Sequence, residues 1–260
     1  MSKKQSQATK RANTQRAAER AAAIRREQEK TERRRRSIVV SAVVVGVLVL
    51  IVGIGAAVQA SRDTTGQATT PPAGAVDTYG LPLGRDGAPV TVDVYEDFMC
   101  PFCGDFEAAA DKTLEAYVAS GDVQVHFNAV AYLDRFSDGS DYSTRAMNAV
   151  GVVLDEAGRA AAVEMHDALY ADQPAEGTSG LSDDQLVDRA VEAGADRAAV
   201  QGPIENRKFE QWVENASDDA NQRGVMSTPT VLVDGETVEF KSTDELLVNL
   251  RSAVAAALPE

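Results

Sequence analysis

The sequence predicts a mixed α/β domain with a helical insertion, preceded by a single N-terminal transmembrane helix. Three observations predict this. Ile38–Val58 is a run of 21 uncharged residues that holds Ser41, three glycines and otherwise only Ala, Val, Leu and Ile. Two strand-like segments, Val90–Tyr95 and Val123 to about Val130, flank a helical period, the opening of a parallel βαβ unit. A long stretch of helix signals then precedes a hairpin and a last helix.

Charge divides the 260-residue chain into the same parts. The total of 26 Lys+Arg against 40 Asp+Glu gives −14, and 44% hydrophobic with 25% charged residues excludes a collagen-like, wholly disordered or disulfide-dense chain. Residues 1–36 hold 13 Lys/Arg and four Glu, a net of +9, which leaves −23 on the rest. A helix over the apolar run would span roughly 31 Å at 1.5 Å per residue, the thickness of a bilayer's hydrocarbon core. Arg33–Arg36 abut its N-terminal end, so the basic bias sets residues 1–37 in the cytoplasm and the acidic domain outside. A cleavable signal peptide is the rival reading, with Val58-Gln59-Ala60 at a cleavage position. The apolar run exceeds a signal-peptide core of about 7–15 residues, which favours an uncleaved anchor. No cysteine near it supports lipid modification, and no aromatic residue interleaves the basic leader, so no nucleic-acid partner is expected.

Residues 59–80, rich in Thr, Ala, Pro and Gly, read as a flexible linker, and 81–260 as the folded domain. Phe102, Phe106, Ala109, Leu114 and Tyr117 mark a helix from Pro101 to Ser120, closed by Gly121. The helical insertion, about 140–208, includes Ser143–Asp155 and Arg159–Tyr170 on either side of Gly158, then a helix opened by a Ser182/Gln185 capping box and ended by Gly194. Phe209, Trp212, Val213, Ala216 and Ala220 form one face of a further helix. Thr230–Val233, the Asp234-Gly235 turn and Val238–Phe240 read as a hairpin, and Ser242 with Glu245 caps a last helix with a Leu246, Leu247, Leu250, Val254 stripe.

Both cysteines fall in Cys100-Pro101-Phe102-Cys103, between the first strand and its helix. Cys100 at the helix N-terminus meets unpaired N–H groups and the helix dipole, which favour the thiolate. Cys103, one turn in, is the resolving thiol. Pro101 fits the first turn, where its missing N–H costs nothing. A structural disulfide closing so short a loop constrains little of the unfolded chain. A structural zinc site lacks ligands, since the other candidates are His126 and His166 alone, and no metal site or cofactor is predicted. Cu(I) capture by Cys100, Cys103 and Met99 or Met226 stays open. His166 near Asp167 invites an acid/base reading, set beside the preferred one of a helix-surface residue orienting the insertion; His126 reads as a strand residue on the sheet's polar face.

Cys100-Pro101-Phe102-Cys103 after a strand, Gly224-Val225 leading to Thr228-Pro229-Thr230, and Asp234-Gly235 together resemble the DsbA-like thiol-disulfide oxidoreductases of the thioredoxin superfamily. The resemblance covers about Gly84 to Pro259 and includes Asp97 and His166–Tyr170. It implies a thioredoxin-like fold with a helical insertion, a cis Thr228-Pro229 bond facing the cysteines, and a redox disulfide between Cys100 and Cys103. Phe102, Thr228 and Pro229 are then expected to meet the substrate. Many relatives carry a glutamate six residues before the first cysteine; here that residue is Val94, which leaves Glu96 or Asp97 as candidates for proton transfer, with Asp97 alternatively a helix-entry cap. The expected activity is disulfide formation in exported proteins by a membrane-tethered enzyme, re-oxidised by a quinone-linked membrane partner. The alternatives are a reductase or isomerase, as in cytochrome maturation, and a non-enzymatic copper module.

Overall fold

A computed structural model of the chain describes residues 69–259. The expected membrane span, 38–58, lies outside them, and among the described residues no helix is long and apolar enough to cross a membrane.

Five strands form one sheet in the order β1-β3-β2-β4-β5. β2 (Val90–Glu96) alternates buried and half-exposed residues, as a strand with one face on the core must. It pairs in parallel with β3 (Val123–Ala129), Val92 beside Val125 and Val94 beside Phe127. β4 (Thr230–Val233) runs antiparallel to the other side of β2. Two strands differ from expectation. β1 (Leu81–Leu83) was not legible as a strand; three residues carry too little alternation, and the antiparallel partner at β3 supplies the order instead. The hairpin returns through β5 (Glu236–Thr237) rather than Val238–Phe240, because the tight Asp234-Gly235 turn sets the pairing directly beside it. Val238 still donates to the Val231 carbonyl, at 2.8 Å.

α1 (Pro101–Ser120) begins at Cys100 in extended conformation, with Pro101 at its first position, and ends at Gly121 with φ +80°. Cys103, Phe106, Ala110 and Leu114 are its buried stripe. Beyond β3, four helices form the insertion: α2 (Tyr142–Ala157), α3 (Arg159–Ala171), α4 (Asp183–Glu192) and α5 (Arg197–Glu205). α2 is its axis, buried from Tyr142 to Leu154 and in contact with the other three. The reciprocal capping box forms at α4: Gln185 N–H donates to Ser182 Oγ at 3.3 Å, and Ser182 N–H to Gln185 Oε1 at 2.9 Å. α5 escaped the sequence reading, since Gly202 and Pro203 break its pattern; Asp196 caps it. α6 (Glu210–Gln222) packs on β3, and α7 (Thr243–Ala257) on α1 and β4. Ser242 caps α7, while Glu245 reaches back one residue further, to Lys241 N–H.

The described end of the expected linker is held by hydrogen bonds. Trp212 Nε1 donates to the Thr78 carbonyl at 2.7 Å, and Ala73 N–H to Asp155 Oδ1 at 2.8 Å, so the chain is fastened to α6 and to the insertion before the first strand begins.

Candidate active site

The parallel β2–β3 pair and the antiparallel β2–β4 pair bring the segment after β2 against the segment before β4. The first segment carries both cysteines and the second Thr228-Pro229, whose peptide bond is cis. Cys100 Sγ lies 3.5 Å from the Thr228 carbonyl oxygen. Cys103 is fully buried and Cys100 is 4% exposed, and both are free thiols.

Asp97 and Gln173 hold the turn that presents Cys100. Asp97 Oδ1 accepts from Met99 N–H at 2.9 Å and from the Ser143 hydroxyl at 2.6 Å, and Oδ2 accepts from Leu133 N–H at 2.9 Å. Asp97 thus ties the turn to the start of α2 and is not the cap of α1, a position held by Cys100. Burial raises its carboxyl pKa to about 7 against those three donors. Gln173, just beyond α3, donates through Nε2 to the carbonyls of Cys100 (2.9 Å) and Phe98 (3.2 Å).

The two thiols are electrostatically unlike. A hydrogen bond from the Cys103 thiol lowers the Cys100 pKa to about 6, against desolvation and with help from Thr228 and the N–H groups of Cys103 and Phe102. Burial, and then Cys100 itself, push the Cys103 thiol well above its ordinary range. At neutral pH the pair therefore combines an outer thiolate with an inner thiol.

Behind Cys103 lies a buried acid–base cluster. Glu96, fully buried at the end of β2, has Oε1 2.6 Å from His166 Nε2, and His166 Nδ1 is 2.9 Å from Asp167 Oδ1. His166 is 1% exposed, so the expected surface position is wrong. The face of α3 that carries it turns into the protein, where Phe127 packs on the imidazole at 4.2 Å between ring centres. Burial opposes its charge, but the Glu96 carboxylate and Asp167 outweigh it and hold the imidazole pKa well above the usual value. Burial and the neighbouring Glu96 raise the Glu107 carboxyl pKa well above its ordinary value. Glu96 Oε2 and Glu107 Oε1 are shielded from solvent without a hydrogen-bond partner. Val94, fully buried on the core face, leaves Glu96 as the carboxylate of β2 beside the cysteines.

Two large apolar side chains are exposed beside this centre. Phe102 is 68% and Met226 74% exposed. Both border a groove of about 1140 Å³ that also touches Thr228 and Pro229. The Tyr132 hydroxyl donates to the Val225 carbonyl at 2.7 Å and anchors the loop before the cis bond.

Glu107, His166 and Gln173 were not singled out as site residues from the sequence. Spacing carried a signal for them: Glu107 follows Cys100 and Cys103 at i, i+3, i+7, and Tyr170 and Gln173 follow His166 at i+4 and i+7.

A family model described as thioredoxin matches residues 77–250. The chain belongs to the thioredoxin family. Within it, the chain is similar to the oxidised DsbA of Mycobacterium tuberculosis, at 30% identity and a TM-score of 0.57, over 67% of this chain and 92% of that one. This places it among the DsbA-type thiol-disulfide oxidoreductases. Disulfide bond formation protein D of Bacillus subtilis is 25% identical over 167 residues, 63% of this chain and 72% of that protein. The serine/threonine-protein kinase PknE of M. tuberculosis is 29% identical over 124 residues, 46% of this thioredoxin-family chain, which spans only 22% of the kinase.

Proposed function

We propose that this chain is a membrane-tethered dithiol oxidase that forms disulfides in exported proteins, anchored by residues 38–58 with the domain outside. The observation that carries the direction is the contrast between Cys100, with a pKa of about 6, and Cys103, raised by burial. A stabilised Cys100 thiolate favours the reduced pair and makes the disulfide form a stronger oxidant.

In the oxidised enzyme a client thiolate attacks Cys100 Sγ. The Cys100–Cys103 bond breaks, a mixed disulfide forms, and Cys103 leaves with the electron pair. Cys103 takes up a proton in its buried site, and the Glu96–His166 pair is the source nearest in kind, with Asp167 leading toward solvent. A second client thiolate then attacks the client sulfur of the mixed disulfide and releases Cys100 as a thiolate. The client has lost two electrons to the cysteine pair, and a quinone-linked disulfide generator in the membrane takes them on. The Thr228 backbone hydrogen-bonds the client segment beside Pro229, while Phe102 and Met226 give apolar contact with little sequence selectivity.

Equilibration of the purified protein with glutathione tests the direction. A potential near those of oxidising relatives, about −120 to −180 mV, is expected, and a value near −270 mV would instead assign the chain to reduction. A Cys103→Ser variant should retain exported proteins as mixed disulfides on Cys100; stoichiometric Cu(I) binding with no such adducts would favour the copper module.

A further inference from the structure

Asp77, Asp93 and His126 meet on the sheet face opposite Glu96. Residues alternate faces along β2 and β3, and Asp93 stands beside His126 in the parallel register. Asp77 joins them from the turn before β1, closed by Val76 N–H to the Gly80 carbonyl (2.9 Å) and Gly80 N–H to the Val76 carbonyl (2.8 Å). His126 is 5% exposed.

The hydrogen bonds around His126 determine where its lone pair points. Gln124 donates its amide nitrogen to Asp86 Oδ1 at 3.1 Å, so the amide oxygen faces the ring, 3.2 Å from His126 Nε2. Nε2 therefore carries a proton, and in the neutral ring Nδ1 is the acceptor. That Nδ1 is shielded from solvent and has no hydrogen-bond partner. It lies 3.3 Å from Asp93 Oδ1 and 3.4 Å from Asp77 Oδ2. Asn128 donates to Asp93 Oδ1 at 3.2 Å, and neither carboxylate pairs with a Lys or Arg among the described residues. Arg223, which lines the same groove, is bonded to Asp219 at 2.6 Å and acts on Asp77 through its charge without an ion-pair contact. Three acceptor atoms thus face one another, an arrangement that repels unless a cation lies between them.

We propose that Asp77, Asp93 and His126 form a binding site for a zinc-class divalent cation. Tetrahedral coordination with bonds of about 2.0–2.1 Å to nitrogen and oxygen gives ligand-to-ligand edges of roughly 3.3–3.4 Å, and Nδ1 stands at those separations from both carboxylates. One imidazole with two carboxylates suits zinc and its transition-metal neighbours better than calcium, which takes oxygen ligands in larger number. Gln124 holds the ring from behind, the usual part of an outer-shell partner. The Asp77 side chain is 75% exposed and lines the same groove as Asp93, which gives an ion its way in and leaves a position open to water. A bound ion clamps the 76–80 turn to the β2–β3 seam. No step of thiol exchange passes through it.

The test uses the full-length chain, metal-stripped and with Cys100 and Cys103 oxidised so that neither thiol competes, titrated calorimetrically with zinc chloride. One equivalent is expected to bind, with a rise in Tm. Asp77→Asn, at an exposed side chain, is expected to keep the fold while weakening binding at least tenfold and removing the Tm rise; His126→Gln is expected to abolish binding. The absence of saturable binding, equal affinity for calcium chloride, or unchanged binding in Asp77→Asn would each overturn the proposal. So would a His126 ring resonance that titrates with pH but ignores zinc, since the cation between the carboxylates would then be a proton.

Discussion

Cys100 Sγ lies 3.5 Å from the main-chain carbonyl of Thr228, 128 residues away in the chain. A thiol donates to that oxygen. A thiolate cannot, and is held instead by the Cys103 thiol, the Thr228 side chain and the N–H groups of Cys103 and Phe102. The contact to the carbonyl therefore belongs to the protonated form.

Alkylation reads this directly. In the reduced protein, iodoacetamide should modify Cys100 with a midpoint at about pH 6, not the ordinary thiol value near 8.5, while Cys103 stays unmodified through the neutral range. The same shift has a signed effect on stability. A depressed folded-state pKa stabilises the reduced protein fully above the unfolded value of about 8.5, and the contribution fades as pH falls through about 6. Denaturation midpoints of reduced against oxidised protein should diverge between those limits in favour of the reduced form, and a constant difference would contradict the assignment.

Glu96→Gln removes the carboxylate that raises the Cys103 pKa and bonds His166. The Cys103 thiol, followed in a Cys100→Ser background, should titrate at lower pH than with Glu96 present. Exchange with a reduced model peptide should slow at least about tenfold, a small part of what a positioned proton donor contributes. A merely structural role would leave the Cys103 titration where it was.

His166→Gln tests the other half of the pair. Because His166 has a raised folded-state pKa, its stabilisation is complete below about pH 6.5 and is lost only as pH climbs through the raised value. The variant should therefore lose more at pH 6 than at pH 9, by about 3–5 kcal/mol at the lower pH for breaking a buried ion pair. Urea unfolding at the two pH values measures it.

Gln173→Ala leaves the carbonyls of Cys100 and Phe98 without their side-chain donor and should cost about 1–3 kcal/mol. Gly104→Ala should reproduce part of that loss without touching Gln173. A Cβ there would collide with Gln173 Oε1, at the end of a flexible side chain that must swing away.

Phe102→Ser separates client contact from stability. With the ring 68% exposed, unfolding free energy should stay within about 0.5 kcal/mol of the parent. The KM for a client protein should rise several-fold with kcat little changed, and a matching loss in kcat would move Phe102 into the chemistry.

The local elements were legible in the sequence because their causes are local. The alternation of Val90–Tyr95, the Pro101 start and Gly121 stop of α1, and the Ser182/Gln185 box are each set by neighbours a few residues apart, and each formed where the sequence placed it. The cysteine pair was legible for the same reason. β1 and α5 were not: one is too short to show a period and the other carries Gly202 and Pro203, so both are ordered by what they pack against. Only the tertiary structure turned His166 inward onto Glu96, set Gln173 beneath the active-site turn, and brought His126 Nδ1 against two aspartates. Periodicity tells which face of a strand or helix is apolar, but a polar side chain acquires its partner from another element. The cost of burying it alone decides that the partner must be there, and the topology of the sheet decides which residue it is.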